Sequence, residues 1–566
     1  MTVGQLRNNT LVTRDWARAI GLTQRLLSHK EDAALARLVH DLAGTRAGEE
    51  PALIGTNESL SYAELSAQAN RYARWALDEG FAAGDVVALN LVNRPEYVAI
   101  WLGLTQVGCV VALLNTNLGP GAKEHCLRTA GAKHAIGSAN MPEIASLSGD
   151  PLGESERRPP RANDRALLIY TSGTTGMPKA VNITHARILE WSGWFAGMME
   201  ATSSDRLYNC LPLYHSVGGI VAIGSMLAAG GAVIVRERFS ASRFWLDVAA
   251  SKATIVQYIG ELCRYSLATP ASESDTKHQV RLAVGNGLSK KIWTSFQERF
   301  AIPRILEFYA ASEGAVSFTN CEGKVGSLGR VPAFLRDRFS VALVECDQDT
   351  SELLRTPGGH CLCVPVGKPG EAIAQLSVNG KRGGAHFDGY TDSQSTNAKI
   401  LHNVFEAGDR WYRTGDLLRQ DEEGFYYFVD RLGDTFRWKG ENVSTTEVAL
   451  VVRQCRGVLD VAVYGVAIPG ADGKAGMAAL VVEQGLFDFA TLRTHLKVQL
   501  PAYARPMFVR LCPALPATGT FRLRKTELAQ QGYDKSTDPV WFNDEGKDAF
   551  LPYEDGKRYF SQIFDR

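Results

Sequence analysis

Residues 170–180 read YTSGTTGMPKA, directly behind the apolar run ALLI at 166–169. The stretch gathers Gly173 and Gly176, the hydroxyls of Thr171, Ser172, Thr174 and Thr175, and the cation of Lys179. A buried strand that ends in such a loop turns backbone N–H groups and hydroxyls toward one point. Glycine lets the backbone come close to a ligand because it has no Cβ. A concave cluster of main-chain N–H groups binds anions, and polyphosphate suits this composition. The loop is not a Walker A motif, which needs glycine directly before the lysine and Ser or Thr after it. Here Met177 and Pro178 precede Lys179, and Ala180 follows. A plain solvated Ser/Thr/Gly linker is the competing reading.

The rest of the chain sets the frame. Its 566 residues suggest roughly two to four domains. Hydrophobic content of 45% with 22% charged residues is that of a globular chain. The 61 basic and 61 acidic residues cancel, so no global field favours nucleic acid. Ten cysteines lack a disulfide framework, and the close pair Cys361 and Cys363 makes a poor zinc site. Reduced thiols and a cytoplasmic location are expected. No secretory h-region is visible near Arg14 and Asp15. The apolar stretch 218–235 carries five glycines and no charge. It reads as a core helix to about Leu227, a turn at Gly230–Gly231 and a strand at 232–235, in preference to a membrane span.

Helices and parallel-type strands are expected to alternate through the first 430 residues. S-Y-A-E at 61–64 is a capping box that opens a helix ending near Gly80. Strands follow at 86–91 and 110–114, with a helix from about Pro95 between them. This βαβ rhythm calls for sheets buried on both faces. From Arg431 the character changes. S-T-T-E at 444–447 is a second capping box, strands are expected at 461–468 and 477–482, and a helix at 489–500 stops at Pro501. That makes a compact α+β unit.

Three further stretches turn an anion loop into a reaction. EFYAASEG at 307–314 sets an aromatic, a hydroxyl and a carboxylate at fixed offsets. Tyr309 can stack on a base, and Glu313 offers the oxygen ligand that Mg²⁺ prefers. WYRTGD at 411–416 ends in Asp416, a carboxylate suited to two ribose hydroxyls. DRLGDTFRWKGENVSTTEV begins at Asp430. Taken singly, each reads as a turn or a solvated charged face. Together they occur in one order.

With FSASRFW at 239–245, QYIGELCRY at 257–265 and GNGL at 285–288, residues from about 52 to 550 resemble the fatty acid transport protein family. This group, also called very-long-chain acyl-CoA synthetases, lies within the adenylate-forming superfamily. The resemblance implies an α/β fold: a large N-terminal AMP-binding domain of α/β subdomains over 1–432, with ATP and acyl sites, and a small mobile α+β domain over 433–566. It further implies that Thr171, Ser172, Gly173, Thr174, Thr175, Gly176 and Lys179 wrap the phosphates of ATP. Gly285, Asn286, Gly287 and Leu288 line the adenine with Tyr309 stacked on it, and Ser312 touches phosphate. Thr171 and Glu313 ligate Mg²⁺, Asp416 and Arg431 hold the ribose, and His215 sits at the mouth of the acyl pocket. The hinge falls at Gly433–Asp434, and Lys439 and Gly440 face the pantetheine of CoA after rotation.

The implied reaction activates a long-chain or very-long-chain fatty acid as acyl-AMP and passes it to CoA. Acyl transfer to a carrier protein or an amine is the enzyme alternative. A weakly adenylating, acyl-binding or transport-associated protein is the other, and attachment to the inner face of a membrane stays compatible with it. One departure feeds these alternatives. The superfamily places a catalytic lysine near the C-terminus, and ungapped alignment puts Arg522 there, with Lys525 three residues on. Arginine keeps the charge as a planar fork instead of a point charge. An apolar pocket is expected near residues 214–220, where Gly218 and Gly219 either leave room for an alkyl chain or serve helix packing.

Overall fold

The Ser61 hydroxyl accepts from the Glu64 N–H at 3.2 Å, and the Glu64 carboxylate accepts from the Ser61 N–H at 2.8 Å. This reciprocal cap opens the helix Tyr62–Asp78, as the sequence predicts. The computed structural model describes residues 3–28, 32–172, 177–336, 339–347, 352–377, 386–432, 434–438, 441–469, 473–517, 523–544 and 546–554. By packing, the chain divides into a first unit, Met1–Ala333 with Ala385–Lys399, and a second, Phe334–Gly384 with Ile400–Arg566.

Among the described residues, the first unit holds two sheets. One has five strands in the order Ala132–Gly137, Val86–Asn90, Val110–Leu113, Arg165–Ser172, Pro178–Thr184. The first four run parallel, and the last folds back antiparallel to its neighbour. The other sheet has eight strands. Its strands Ile305–Ala310, Leu282–Asn286, Ile255–Ile259, Arg206–Asn209, Ala232–Val235 and Pro51–Ile54 are parallel neighbours. Ser317–Asn320 and Ser59–Ser61 close its two edges antiparallel. Near-continuous apolar strands such as Val110–Leu113, buried along their whole length, are what a sheet covered on both faces requires.

The stretch 218–235 stays inside this unit, but its first part is not an α-helix. Val217–Gly224 is a π-helix, followed by the α-helix Ser225–Ala229, a left-handed Gly230 and the strand Ala232–Val235. Side chains explain the wider winding. The Gln257 amide donates to the Val217 carbonyl at 2.9 Å and the Asn209 amide to the Gly218 carbonyl at 3.1 Å. The Val221 N–H reaches the Ser216 carbonyl, five residues back, at 3.0 Å. No helix among the described residues is long and apolar enough to cross a membrane.

In the second unit the expected parallel rhythm stops. Val341–Val344, Pro369–Gln375, Ile400–His402, Arg410–Gln420 and Tyr426–Arg431 pair antiparallel throughout. Short links such as residues 421–425 leave no length for a crossover helix. The hairpin Phe436–Trp438 and Glu441–Val443 follows. A last five-stranded sheet runs Val458–Ala467, Lys474–Val482, Phe508–Leu511, Val540–Asp544, Ala549–Pro552. The helices Thr445–Val452 and Phe489–Gln499 lie where the sequence sets them. The second cap is built differently: Ser444 accepts from the Glu447 N–H at 3.3 Å, while its hydroxyl donates to Asp430 at 3.1 Å. The expected division at 432/433 concerns a hinge between moving parts. A division by packing does not address motion.

Candidate active site

The stretch 170–180 forms a hairpin. Thr171 pairs with Lys179 and Ser172 with Pro178 across its strands, and the Tyr170 hydroxyl anchors it to the Cys126 carbonyl at 2.7 Å. Gly173, Thr174, Thr175 and Gly176 lie outside the described residues. The returning strand gains a partner from far along the chain. Val181 bridges Tyr390, the Asn182 N–H donates to the Gly389 carbonyl and the Thr391 N–H to the Ala180 carbonyl, each at 2.9 Å. This brings the Lys179 ammonium to 6.0 Å from the centre of the Tyr390 ring.

Two neighbouring parallel strands end at the expected adenine loop. Leu282–Asn286 runs into Gly287 and Leu288, and Ile305–Ala310 runs into Ser312 and Glu313. A Cβ on Gly285 would meet the Tyr258 carbonyl at 2.1 Å, so this backbone approach needs glycine. Glu307, 2% exposed, lies beneath the loop. Its carboxyl accepts from the Tyr258 hydroxyl at 2.5 Å, the Gly287 N–H at 2.5 Å and the Leu288 N–H at 3.2 Å. Burial pushes its pKa up to about 8, against the pull of those three donors. The two-residue period of a strand sets Tyr309 on the same face as Glu307. Glu307 and Tyr258 carry no expected role in the sequence reading. The one signal was a carboxylate at an otherwise apolar strand position.

The loop after Ala310 joins this face to the hairpin. The Ser312 and Ser216 hydroxyls are 3.2 Å apart, next to His215, whose carbonyl accepts from the Gly219 N–H at 2.8 Å. Glu313 accepts from the Tyr390 hydroxyl at 2.6 Å. Arg187, 4% exposed, donates to the Gly314 carbonyl at 2.9 Å and the His386 carbonyl at 2.6 Å, and pairs with Asp388 at 3.5 Å. Lys179, Ser312, Glu313 and the His215–Ser216 corner are thus linked within one unit through Tyr390 and Ser216. The glycines of the acyl region serve packing. A Cβ on Gly218 would fall 2.4 Å from the Pro212 carbonyl oxygen, and one on Gly219 2.5 Å from that of Leu213.

In the second unit, Asp416 and Arg431 face each other across adjacent strands, with Nε to Oδ1 at 3.4 Å. Asp430, at the start of the charged run, is 1% exposed. It accepts from Ser444, Thr445 and Thr446 side chains and so ties the strand Tyr426–Arg431 to the helix Thr445–Val452. Lys525 Nζ donates to Thr445 Oγ1 at 2.5 Å and lies 3.6 Å from Asp434. Arg522, Lys439, Gly440 and the hinge residue Gly433 lie outside the described residues. The ten cysteines are free thiols, and no cluster of three metal-binding side chains occurs among the described residues.

A family model for AMP-binding enzymes matches residues 41–358, and one for the AMP-binding enzyme C-terminal domain matches 447–522. Long-chain fatty acid transport protein 1 of Homo sapiens is 43% identical over 534 residues, 88% of this chain and 82% of its own. Long-chain fatty acid transport protein 6 of Mus musculus is 39% identical over 539 residues, 88% and 86% of the two chains. The chain belongs to the fatty acid transport protein family of AMP-binding enzymes. Solved structures agree on the fold of this AMP-binding enzyme. ATP-bound MatB from Rhodopseudomonas palustris superposes with a TM-score of 0.72 at 22% identity, over 89% of this chain and 99% of its own. The O-succinylbenzoate coenzyme A synthetase MenE from Bacillus subtilis, in complex with AMP, gives 0.70 at 23% identity, over 88% and 98%.

Proposed function

We propose that the protein uses ATP to activate a long-chain or very-long-chain fatty acid as acyl-AMP and transfers the acyl group to CoA. The observation that carries this reading is that Tyr390 neighbours both a phosphate-seeking cation and a hard oxygen ligand: the Lys179 ammonium is 6.0 Å from its ring centre, and Glu313 accepts from its hydroxyl at 2.6 Å. The loop itself fits a purine. The Asn286 Oδ1 is buried without a hydrogen-bond partner among the described residues, and an exocyclic amine would satisfy it. Tyr309 offers the stacking face, with Gly285, Gly287 and Leu288 as the rim.

Mg²⁺ is expected to bind through one or two protein oxygens and the substrate phosphates, a demand that Glu313 and Thr171 meet. When bound, it neutralises charge on the phosphates. A fatty acid carboxylate oxygen attacks the α-phosphorus and pyrophosphate leaves. Lys179 and the hairpin hydroxyls offset the charge on the leaving group, while Asp416 and Arg431 orient the ribose. The CoA thiolate then attacks the acyl carbon and AMP departs. No protein nucleophile is needed, consistent with thiols whose pKa burial raises, such as Cys126 and Cys210.

The relatives bear the name of transport proteins, and trapping the acid as a thioester links that name to a ligase. Arg522 in place of lysine keeps a second reading in play, that of an acyl-handling protein with little adenylation. Pyrophosphate release measured over carboxylic acids of varied chain length, with and without CoA, decides between them. Acid-dependent release with CoA-dependent turnover supports the ligase. No release from any acid sinks it. Turnover restored only by a carrier-protein thiol or an amine moves the acceptor away from CoA.

A further inference from the structure

We infer that Tyr390 is a positioning residue for the ATP-activating half-reaction, holding Glu313 in the rotamer that ligates the metal and aligning it with the lysine of the phosphate hairpin. This rests on the ATP reading above and assigns a role to residues 386–392, HFDGYTD, which no sequence motif singled out.

Four observations carry it. First, Glu313 has one side-chain partner among the described residues, the Tyr390 hydroxyl at 2.6 Å on Oε1. That leaves Oε2 for a cation. A glutamate otherwise loses rotamer freedom when it binds a metal, and a carboxylate fixed beforehand avoids that cost. Second, Tyr390 is itself fixed. Its backbone bridges Val181, and the neighbouring Gly389 and Thr391 are hydrogen-bonded to Asn182 and Ala180. The tyrosine therefore moves with the strand that carries Lys179, whose ammonium sits 6.0 Å from the ring centre.

Third, Arg187 closes the frame from the other side. It grips the Gly314 carbonyl next to Glu313 and, with the same guanidinium, the His386 carbonyl and Asp388 just before Tyr390. Gly314 has a φ of +81°. A Cβ there would meet the Arg187 guanidinium at 2.0 Å, so the grip requires glycine. Fourth, Tyr390 is 7% exposed, so the packing around its ring holds the hydroxyl in place.

The test is calorimetric binding of a non-hydrolysable ATP analogue, α,β-methylene-ATP, across a Mg²⁺ titration, on the full chain. Tyr390→Phe keeps the ring and its backbone pairing. The expected result is that the Mg²⁺ concentration for half-maximal tightening of analogue binding rises about tenfold, the scale of one charge-assisted hydrogen bond. Analogue binding in EDTA should stay as in the wild type. In Glu313→Gln the Mg²⁺ dependence should be lost, and adding Tyr390→Phe to it should change nothing further. Unchanged Mg²⁺ dependence in Tyr390→Phe overturns the assignment. So does an effect that persists in the Glu313→Gln background, or a loss of equal size in EDTA. A wild type that binds no analogue at all overturns the ATP reading and the assignment with it.

Discussion

Lys525 spends its charge locally: its ammonium donates to Thr445 Oγ1 at 2.5 Å and faces Asp434, one of the two expected hinge residues, at 3.6 Å. Thr445 in turn donates to the buried Asp430. A cation held this way is poorly placed to be the one that reaches the α-phosphate, which favours Arg522 for that task. Arg522→Ala should slow adenylation by roughly a hundredfold or more, the scale of one lost oxyanion donor. It should spare thioester formation from a supplied acyl-adenylate. Lys525→Ala should instead cost about 1–2 kcal/mol of stability and leave adenylation within about threefold. Single-turnover kinetics of both half-reactions on the two variants check this. A collapse of adenylation in Lys525→Ala would show that the lysine leaves Thr445 during turnover.

Glu307 predicts a pH dependence. Its pKa rises from 4.5 to about 8 on folding, chiefly through burial. Between those values the folded chain holds a proton that the unfolded chain has released, so stability is greatest at the acid end and falls as pH climbs to about 8. At about 1.4 kcal/mol per unit the swing is on the order of a few kcal/mol. Glu307→Gln keeps an acceptor for the Gly287 N–H but does not titrate. The unfolding temperature of wild type should therefore fall relative to that of Glu307→Gln from about pH 5 to 8. Parallel curves would refute the assignment.

The sequence carried most of the frame because its signals are local. A capping box needs four residues, and S-Y-A-E at 61–64 behaves as read. Buried parallel strands announce themselves as apolar runs, and Val86–Asn90 and Val110–Leu113 did. What stayed hidden depends on partners far along the chain. Glu307 acquires its role from Tyr258, and Tyr390 from Glu313 and Lys179. In the second capping box the Ser444 half forms, and the same hydroxyl also donates to Asp430, a partner upstream of the four-residue signal. The π-helix was invisible because the amides of Asn209 and Gln257 make it. Composition offered two readings of Gly218 and Gly219, and carbonyls of the 211–213 backbone choose packing.

Gly260 should tolerate no side chain. A Cβ there would lie 1.8 Å from the Gly287 carbonyl oxygen, inside the expected adenine loop, and backbone cannot step aside as a flexible side chain does. Gly260→Ala should cost about 1–3 kcal/mol and raise the ATP concentration for half-maximal rate more than it lowers the rate at saturation. Gly21→Ala is the control. Among the described residues, no atom beyond its chain neighbours and its own helix backbone lies within 4 Å of its added Cβ, and it sits within the helix Val3–Leu27. It should be neutral or stabilising by up to about 1 kcal/mol. Equal effects from the two substitutions, in denaturation and in ATP titration, would reject the close contact at residue 287.

Asp416 offers the sharpest check on the ribose assignment. Its carboxylate is nearly buried, with the Arg431 guanidinium at 3.4 Å across the strand pair. A carboxylate that accepts from two ribose hydroxyls contributes a charge-assisted bond for each, so losing one is worth roughly tenfold in binding. Wild type should then prefer ATP over 2′-deoxy-ATP by about that factor. In Asp416→Ala both nucleotides should weaken and the preference between them should shrink toward one. A variant that loses affinity for both while keeping the full preference would mean that Asp416 merely steadies Arg431 and that the ribose is read elsewhere.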